Sequence, residues 1–153
     1  MATTADESLA ALYLEDETAW LEAMAELVRR RDLANLDLEN LAEYLSDMAK
    51  RDRRDVKNRL AILLVHLLKW QFQPEKRSRS WQSTILAQSV ELADLANRGV
   101  LRSHAEAVLE NAYATALKLA MTETGLPGTA FPSVCPFTVE QLFAVELADG
   151  DVE

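Results

Sequence analysis

The residues of this 153-residue chain that invite a chemical reading are a concentrated run of cations, two histidines and one cysteine. Ten of the 16 Lys and Arg residues fall within one segment: Lys50, Arg51, Arg53, Arg54, Lys57, Arg59, Lys69, Lys76, Arg77 and Arg79. Only Asp52, Asp55 and Glu75 oppose them, so residues 50–79 carry +7 while the rest of the chain carries −16. The formal charge of −9 therefore hides a basic segment. Such a segment suits an anionic partner, a nucleic acid or an acidic protein, because binding answers to the local field and not to the net charge. Arg53, Arg54, Lys57, Lys76 and Arg79 are the candidate anion-binding residues. Two further features bear on this reading. From Lys50 to Arg59 the charges alternate in sign, as on a solvated helix face with (i, i+4) pairs, and Asp55 is spaced to reach Arg51 and Arg59. From Lys69 to Trp81 four cations mix with Trp70, Phe72 and Trp81. That mixture suits single-stranded nucleic acid. It equally suits a structured turn in which arginines cover tryptophan faces, donate to helix C-terminal carbonyls and pair with the chain's surplus carboxylates.

His66 sits in the most apolar stretch, where a neutral imidazole serves as a base, a ligand or a core residue hydrogen-bonded to a neighbouring helix. Arg59 and His66 are separated by six residues, a spacing that resembles the arginine–histidine motif of a helical RNase superfamily in prokaryotic toxin systems. In that motif the pair polarises phosphate and moves a proton. Here Leu60 follows the arginine where a polar residue is usual, and whether the chain is an enzyme stays open. A metal centre built from His66, Asp16 and Glu43 would need distant helices to converge. No paired-histidine spacing occurs, so neither a metal nor a cofactor is expected. Charged groups beside an apolar centre persist only when paired. Asp16 or Glu43 is therefore expected to meet His66, Lys69 or Arg77, and Asp16, Glu43, Arg59, His66, Lys69 and Arg77 form one candidate polar cluster.

The elements that must position these residues are helical throughout. Leu9, Leu12, Tyr13, Trp20, Met24, Leu27 and Val28 recur at helical spacing behind a capping box at Thr4 and Glu7. Asp16 interrupts that stripe and is a good N-cap for a second start. A further helix begins near Asp37 and carries Leu38, Leu41, Ala42, Leu45 and Met48 on one face. The pattern loosens over Lys50–Asp55 and resumes from Val56 through Leu60, Leu63, Leu64, Leu67 and Leu68. Leu60–Leu68 is apolar nearly all round, as a central helix is, and Pro74 stops it. Ser80 is the expected N-cap of the next helix, which Gly99 ends. A helix from about Leu101 to Thr124 shows a small-residue face and closes at Gly125 with Leu126 behind it, as in a Schellman cap. Residues 126–137 hold the three remaining prolines and connect to a capping box at Thr138 and Gln141, which opens a last short helix through Leu147.

These elements make an all-α fold, a single-domain bundle of five or six helices around a central apolar helix, with residues 148–153 fraying. Four glycines and four prolines are too few for a sandwich or a phosphate loop. One cysteine, Cys135, makes no internal disulfide and reads as a packed small hydrophobe. No secretory signal opens MATTADESLA, and the apolar run at Leu60–Leu68 is about half the length a membrane span needs. A cytoplasmic protein without membrane contact is expected.

The block His66-Leu-Leu-Lys-Trp-Gln-Phe-Gln-Pro74, followed by Arg77-Ser-Arg-Ser-Trp81 and Thr84-Ile85, resembles a bacterial family of uncharacterised proteins, domain of unknown function 29 (DUF29). Asp16 and Trp20, Leu36-Asp-Leu-Glu-Asn-Leu-Ala-Glu43, Glu123-Thr-Gly-Leu126 and Phe131-Pro-Ser-Val-Cys-Pro136 are similar to its other blocks, so the likeness covers nearly the whole chain. Two places depart from the pattern. Tyr44 stands where a second acidic residue often follows Glu43, and Ala96-Asn-Arg-Gly-Val100 replaces a Pro-Ser-Leu turn. The resemblance implies an all-α fold and no particular activity. The functional expectation is thus a non-enzymatic binding module, compatible with a homodimer, whose 50–79 segment meets an anionic partner. An RNase-like enzyme using Arg59 and His66 is the alternative.

Overall fold

The computed structural model describes residues 4–147, with side chains from residue 8 onward. Six α-helices and three short 3-10 turns are the regular elements of the described residues, and no strand occurs among them. The fold is all-α, as the helical periodicities predict. The side chains of the Thr4–Glu7 capping box and the tail 148–153 lie outside the described residues. The chain divides into two compact units, residues 1–50 and 51–153.

The first unit holds α1 (Thr4–Glu15), α2 (Glu17–Arg29) and the opening turns of α3 (Leu38–Phe72). Asp16 splits α1 from α2, as its place on the apolar stripe predicts. Its extended φ of −149° breaks the helix, and its carboxylate accepts the Ala19 amide at 3.0 Å. At the far end α2 closes in a Schellman motif without glycine. Arg31 takes φ +59°, its amide donates to Val28 O and the Asp32 amide reaches back to Leu27 O. Gly125 was the expected site of that motif, but α5 (Gly99–Thr124) ends in the simpler αL form. The Gly125 amide donates to Met121 O, and the Thr124 hydroxyl takes the Leu126 amide that a Schellman closure would need.

In α3 the sequence pattern loosens at Lys50–Asp55, yet the helix runs unbroken for 35 residues. Lys and Arg are good helix formers and need no buried face to continue one. Val56, Leu60, Leu63, Leu64 and Leu68 are fully buried in the second unit. They pack with Ile85 and Leu92 of α4 (Arg79–Ala96), with Ala105, Ala112, Tyr113 and Ala116 of α5, and with Val139 and Leu142 of α6 (Val139–Leu142). The small residues of α5 lie in that core, as their spacing predicts. Three boundaries differ from expectation. Ser78, and not Ser80, caps α4 by accepting the Trp81 amide at 3.2 Å. Gly99 opens α5 at φ +73° instead of ending α4. The last helix stops at Leu142, because the hydroxyl of buried Ser89 takes over the local backbone by donating to Leu142 O and accepting the Val145 amide. The Thr138–Gln141 capping box is formed in both directions.

Candidate functional site

The basic segment separates into two populations. Arg51, Arg53, Arg54 and Lys57 stand on α3 before its apolar stretch, with Arg53 and Lys57 at (i, i+4) and Arg54 and Lys57 at (i, i+3), so these three share one face. None of the four makes an ion pair within 4.0 Å among the described residues. Lys76, in the 3-10 turn Pro74–Lys76, and Arg79, at the start of α4, are exposed and likewise unpaired there. Asp55 makes one of the two contacts its spacing allows. It accepts from Arg59 Nε at 3.1 Å, and Arg51 remains free.

The second population is pinned. Arg59 also donates to Gln88 Oε1 of α4 at 3.2 Å. Lys69 is 9 % exposed, pairs with Glu123 of α5 at 3.1 Å and sits 4.7 Å from the Trp81 ring centre. Arg77 donates from Nε to the Trp70 carbonyl at 2.8 Å and lies over the Trp70 ring at 4.8 Å. Phe72 meets Phe131 edge to face at 5.3 Å. Residues 69–81 are therefore a clasped turn: Lys69 and Arg77 cover Trp81 and Trp70, and Arg77 satisfies one C-terminal carbonyl of α3, where the helix dipole favours a cation. A stack of nucleobases would have to displace these cations.

His66 is half-buried, and its Nδ1 lies 2.8 Å from Ile62 O in its own helix. A carbonyl only accepts, so Nδ1 carries the proton and donates. The neighbouring-helix partner expected for this histidine is replaced by a local one. Arg59 is engaged with Asp55 and Gln88, so the two residues of the RNase-like alternative each have a structural partner. Asp16 and Glu43 lie in the first unit, where Asp16 caps α2 and Glu43 is exposed. Arg59, Lys69 and Arg77 find their partners inside the second unit, with Glu123 supplying the carboxylate for Lys69. No group of three His, Cys, Asp or Glu side chains that would hold a metal ion occurs among the described residues.

Two polar arrangements had no reading in the sequence. In the first unit fully buried Trp20 meets the tilted rings of Tyr13 and Tyr44 at 4.7 and 5.9 Å, and its Nε1 donates to Asp37 Oδ2 at 3.1 Å. Asn40 steadies the same oxygen at 2.7 Å. A buried indole needs an acceptor, and that need was the available signal. Burial and then the Glu43 carboxylate hold the Tyr13 phenol above its ordinary range. The second arrangement is the Ser89 latch on α6. Cys135 is half-buried, and burial pushes its thiol above the usual cysteine value, so it packs as a small hydrophobe and is a poor nucleophile.

No helix of the described residues is long and apolar enough to cross a membrane. What the geometry defines is an all-α protein with a buried leucine helix, a clasped aromatic turn and a set of unpaired cations. The chain belongs to the family described as domain of unknown function DUF29, whose model matches residues 12–147. No curated protein and no solved structure matches it.

Proposed function

We propose that the chain is a non-enzymatic binding module that takes a polyanion on Arg51, Arg53, Arg54 and Lys57 of α3, extended by Lys76 and Arg79. The observation that carries this reading is that these six cations lack carboxylate partners among the described residues in a chain with 25 acidic side chains. The helix bears a cost for them. Each like-charge pair at (i, i+3) or (i, i+4) destabilises an exposed helix by about 0.2–0.5 kcal/mol, and a bound anion relieves it. Because the aromatic faces of the 69–81 turn are covered by cations, contact runs through backbone phosphates and not through base stacking. The RNase-like alternative is less well supported, since Arg59 and His66 are both engaged within the fold. In this reading the protein acts in the cytoplasm; no helix of the described residues is long and apolar enough to cross a membrane. A homodimer in this reading would meet through Leu38 and Leu45, which are 63 % and 59 % exposed one above the other on α3; sedimentation of Leu45→Glu against the parent tests it.

The test is fluorescence anisotropy of labelled single-stranded RNA and DNA at about 50 mM salt. A Kd within roughly 10⁻⁴–10⁻⁶ M is expected, with affinity falling steeply as salt is raised, because phosphate contacts release counterions. Reversing Arg53, Arg54 and Lys57 to Glu is expected to abolish binding with the helical circular dichroism intact. Undetectable binding by the parent chain, or unchanged binding by the triple variant, would refute the reading.

A further inference from the structure

A groove of 410 Å³ opens beside the clasped turn, inside the second unit and away from the free cations of α3. Leu67 and Trp70 of α3 form one wall; Phe137, Val145 and Leu147, flanking α6, form the other. Its size falls within the range of small-molecule sites, which are mostly apolar with a few placed polar groups. One such group is Arg77, which borders the groove. Only Nε of this guanidinium is spent, on the Trp70 carbonyl, and its central carbon lies 4.8 Å from the Trp70 ring centre. The two terminal nitrogens have no hydrogen-bond partner among the described residues. No buried side-chain nitrogen or oxygen lacks a partner there, so both are open to water. Glu146 borders the same groove yet forms no ion pair with Arg77.

From this geometry we infer that the groove is a binding site for a small amphipathic monocarboxylate, its apolar body against Leu67, Trp70 and Phe137 and its carboxylate on the free fork of Arg77. A guanidinium already held over an aromatic ring, with one nitrogen fixed, loses little further freedom when the remaining two take a carboxylate side by side. A cation on a flexible stem would not be held in that way. The apolar walls exclude a bare inorganic anion as the preferred ligand, because it would leave them wet. Glu146 disfavours a dianion at the same mouth. The inference is independent of the polyanion reading, which uses other residues.

Titration of tryptophan fluorescence with decanoate tests it, with 1-decanol as the matched ligand lacking the carboxylate. Decanoate is expected to bind below about 1 mM and at least about tenfold more tightly than decanol, as one charge-assisted contact provides. Arg77→Gln is expected to remove that preference, and Glu146→Gln to strengthen it or leave it unchanged. Ala144→Phe, at the exposed rim, fills the groove without touching Arg77 and is expected to weaken both ligands. It also keeps the test decisive if Arg77→Gln fails to fold. No decanoate binding below about 1 mM, equal binding of decanoate and decanol, or binding indifferent to Ala144→Phe would each overturn the proposal.

Discussion

Within one helix, Arg59 and Lys69 are structural while Arg53, Arg54 and Lys57 are not, although all five are long cations in the same basic segment. The difference lies in what surrounds them. Arg59 and Lys69 stand where α3 is packed on its neighbours, within reach of Gln88 on α4 and Glu123 on α5. Arg53, Arg54 and Lys57 lie around buried Val56, and helical geometry sets them against one another instead of against carboxylates. Charge density along a chain therefore says little about which cations are available to a partner; packing decides it.

Four measurements sharpen or break this contrast, led by the largest expected effect. Replacing Leu60, Leu63 or Leu64 by Ala is expected to cost about 2–5 kcal/mol in denaturant unfolding, through lost burial and a residual cavity. Leu45→Ala, exposed on the same helix, is expected to stay within about 0.5 kcal/mol. Equal losses would contradict the contrast between buried and exposed leucines of α3. Glu123→Ala leaves largely buried Lys69 with only its tryptophan face, and a loss of about 1–2 kcal/mol is expected, less than for a fully buried pair because Glu123 is half exposed. Lys57→Ala is expected to leave unfolding unchanged to within about 0.5 kcal/mol, so a comparable loss would place it with the pinned group.

Further measurements test the helix ends and the thiol. Asp16→Ala removes the α2 cap and is expected to cost about 1 kcal/mol. Arg31→Gly relieves a left-handed arginine and is expected to gain about 0.5–1 kcal/mol, the strain relief less the added freedom of the unfolded chain. Cys135 has a folded-state pKa above its unfolded one, so its contribution to stability is complete below the ordinary thiol value and is lost as pH rises through the folded one. Alkylation near neutral pH is expected to be much slower in the folded protein than in urea, and equal rates would show the thiol to be open.

Much of the fold was legible because it rests on periodicity and local chemistry. The leucine spacing of α3, the break at Asp16 and the capping box at Thr138 each follow from residues close in sequence, and each is present. One error is local: Ser78 and not Ser80 caps α4, through a bond to the Trp81 amide that the sequence offers equally. Another falls where a tertiary contact overrides a local signal, since the last helix stops early because Ser89, far away in sequence, binds its carbonyl. The Leu38–Phe72 helix was read with a weak middle because amphipathicity fades there, although propensity alone carries it through. The residues of the candidate site were legible as a composition, but their state was not. No spacing rule distinguishes Arg59 from Lys57. Glu123 as the partner of Lys69 depends on how α3 and α5 pack.

The most direct test of the contrast is the salt dependence of nucleic-acid binding by two single variants, Lys57→Ala and Arg59→Ala. If the unpaired cations are the contact, Lys57→Ala lowers the slope of log K against log salt by about 0.7 on a single strand, the share of one phosphate contact. Arg59→Ala then leaves the slope unchanged and lowers only the unfolding free energy. A slope that falls with Arg59→Ala and not with Lys57→Ala would contradict the account.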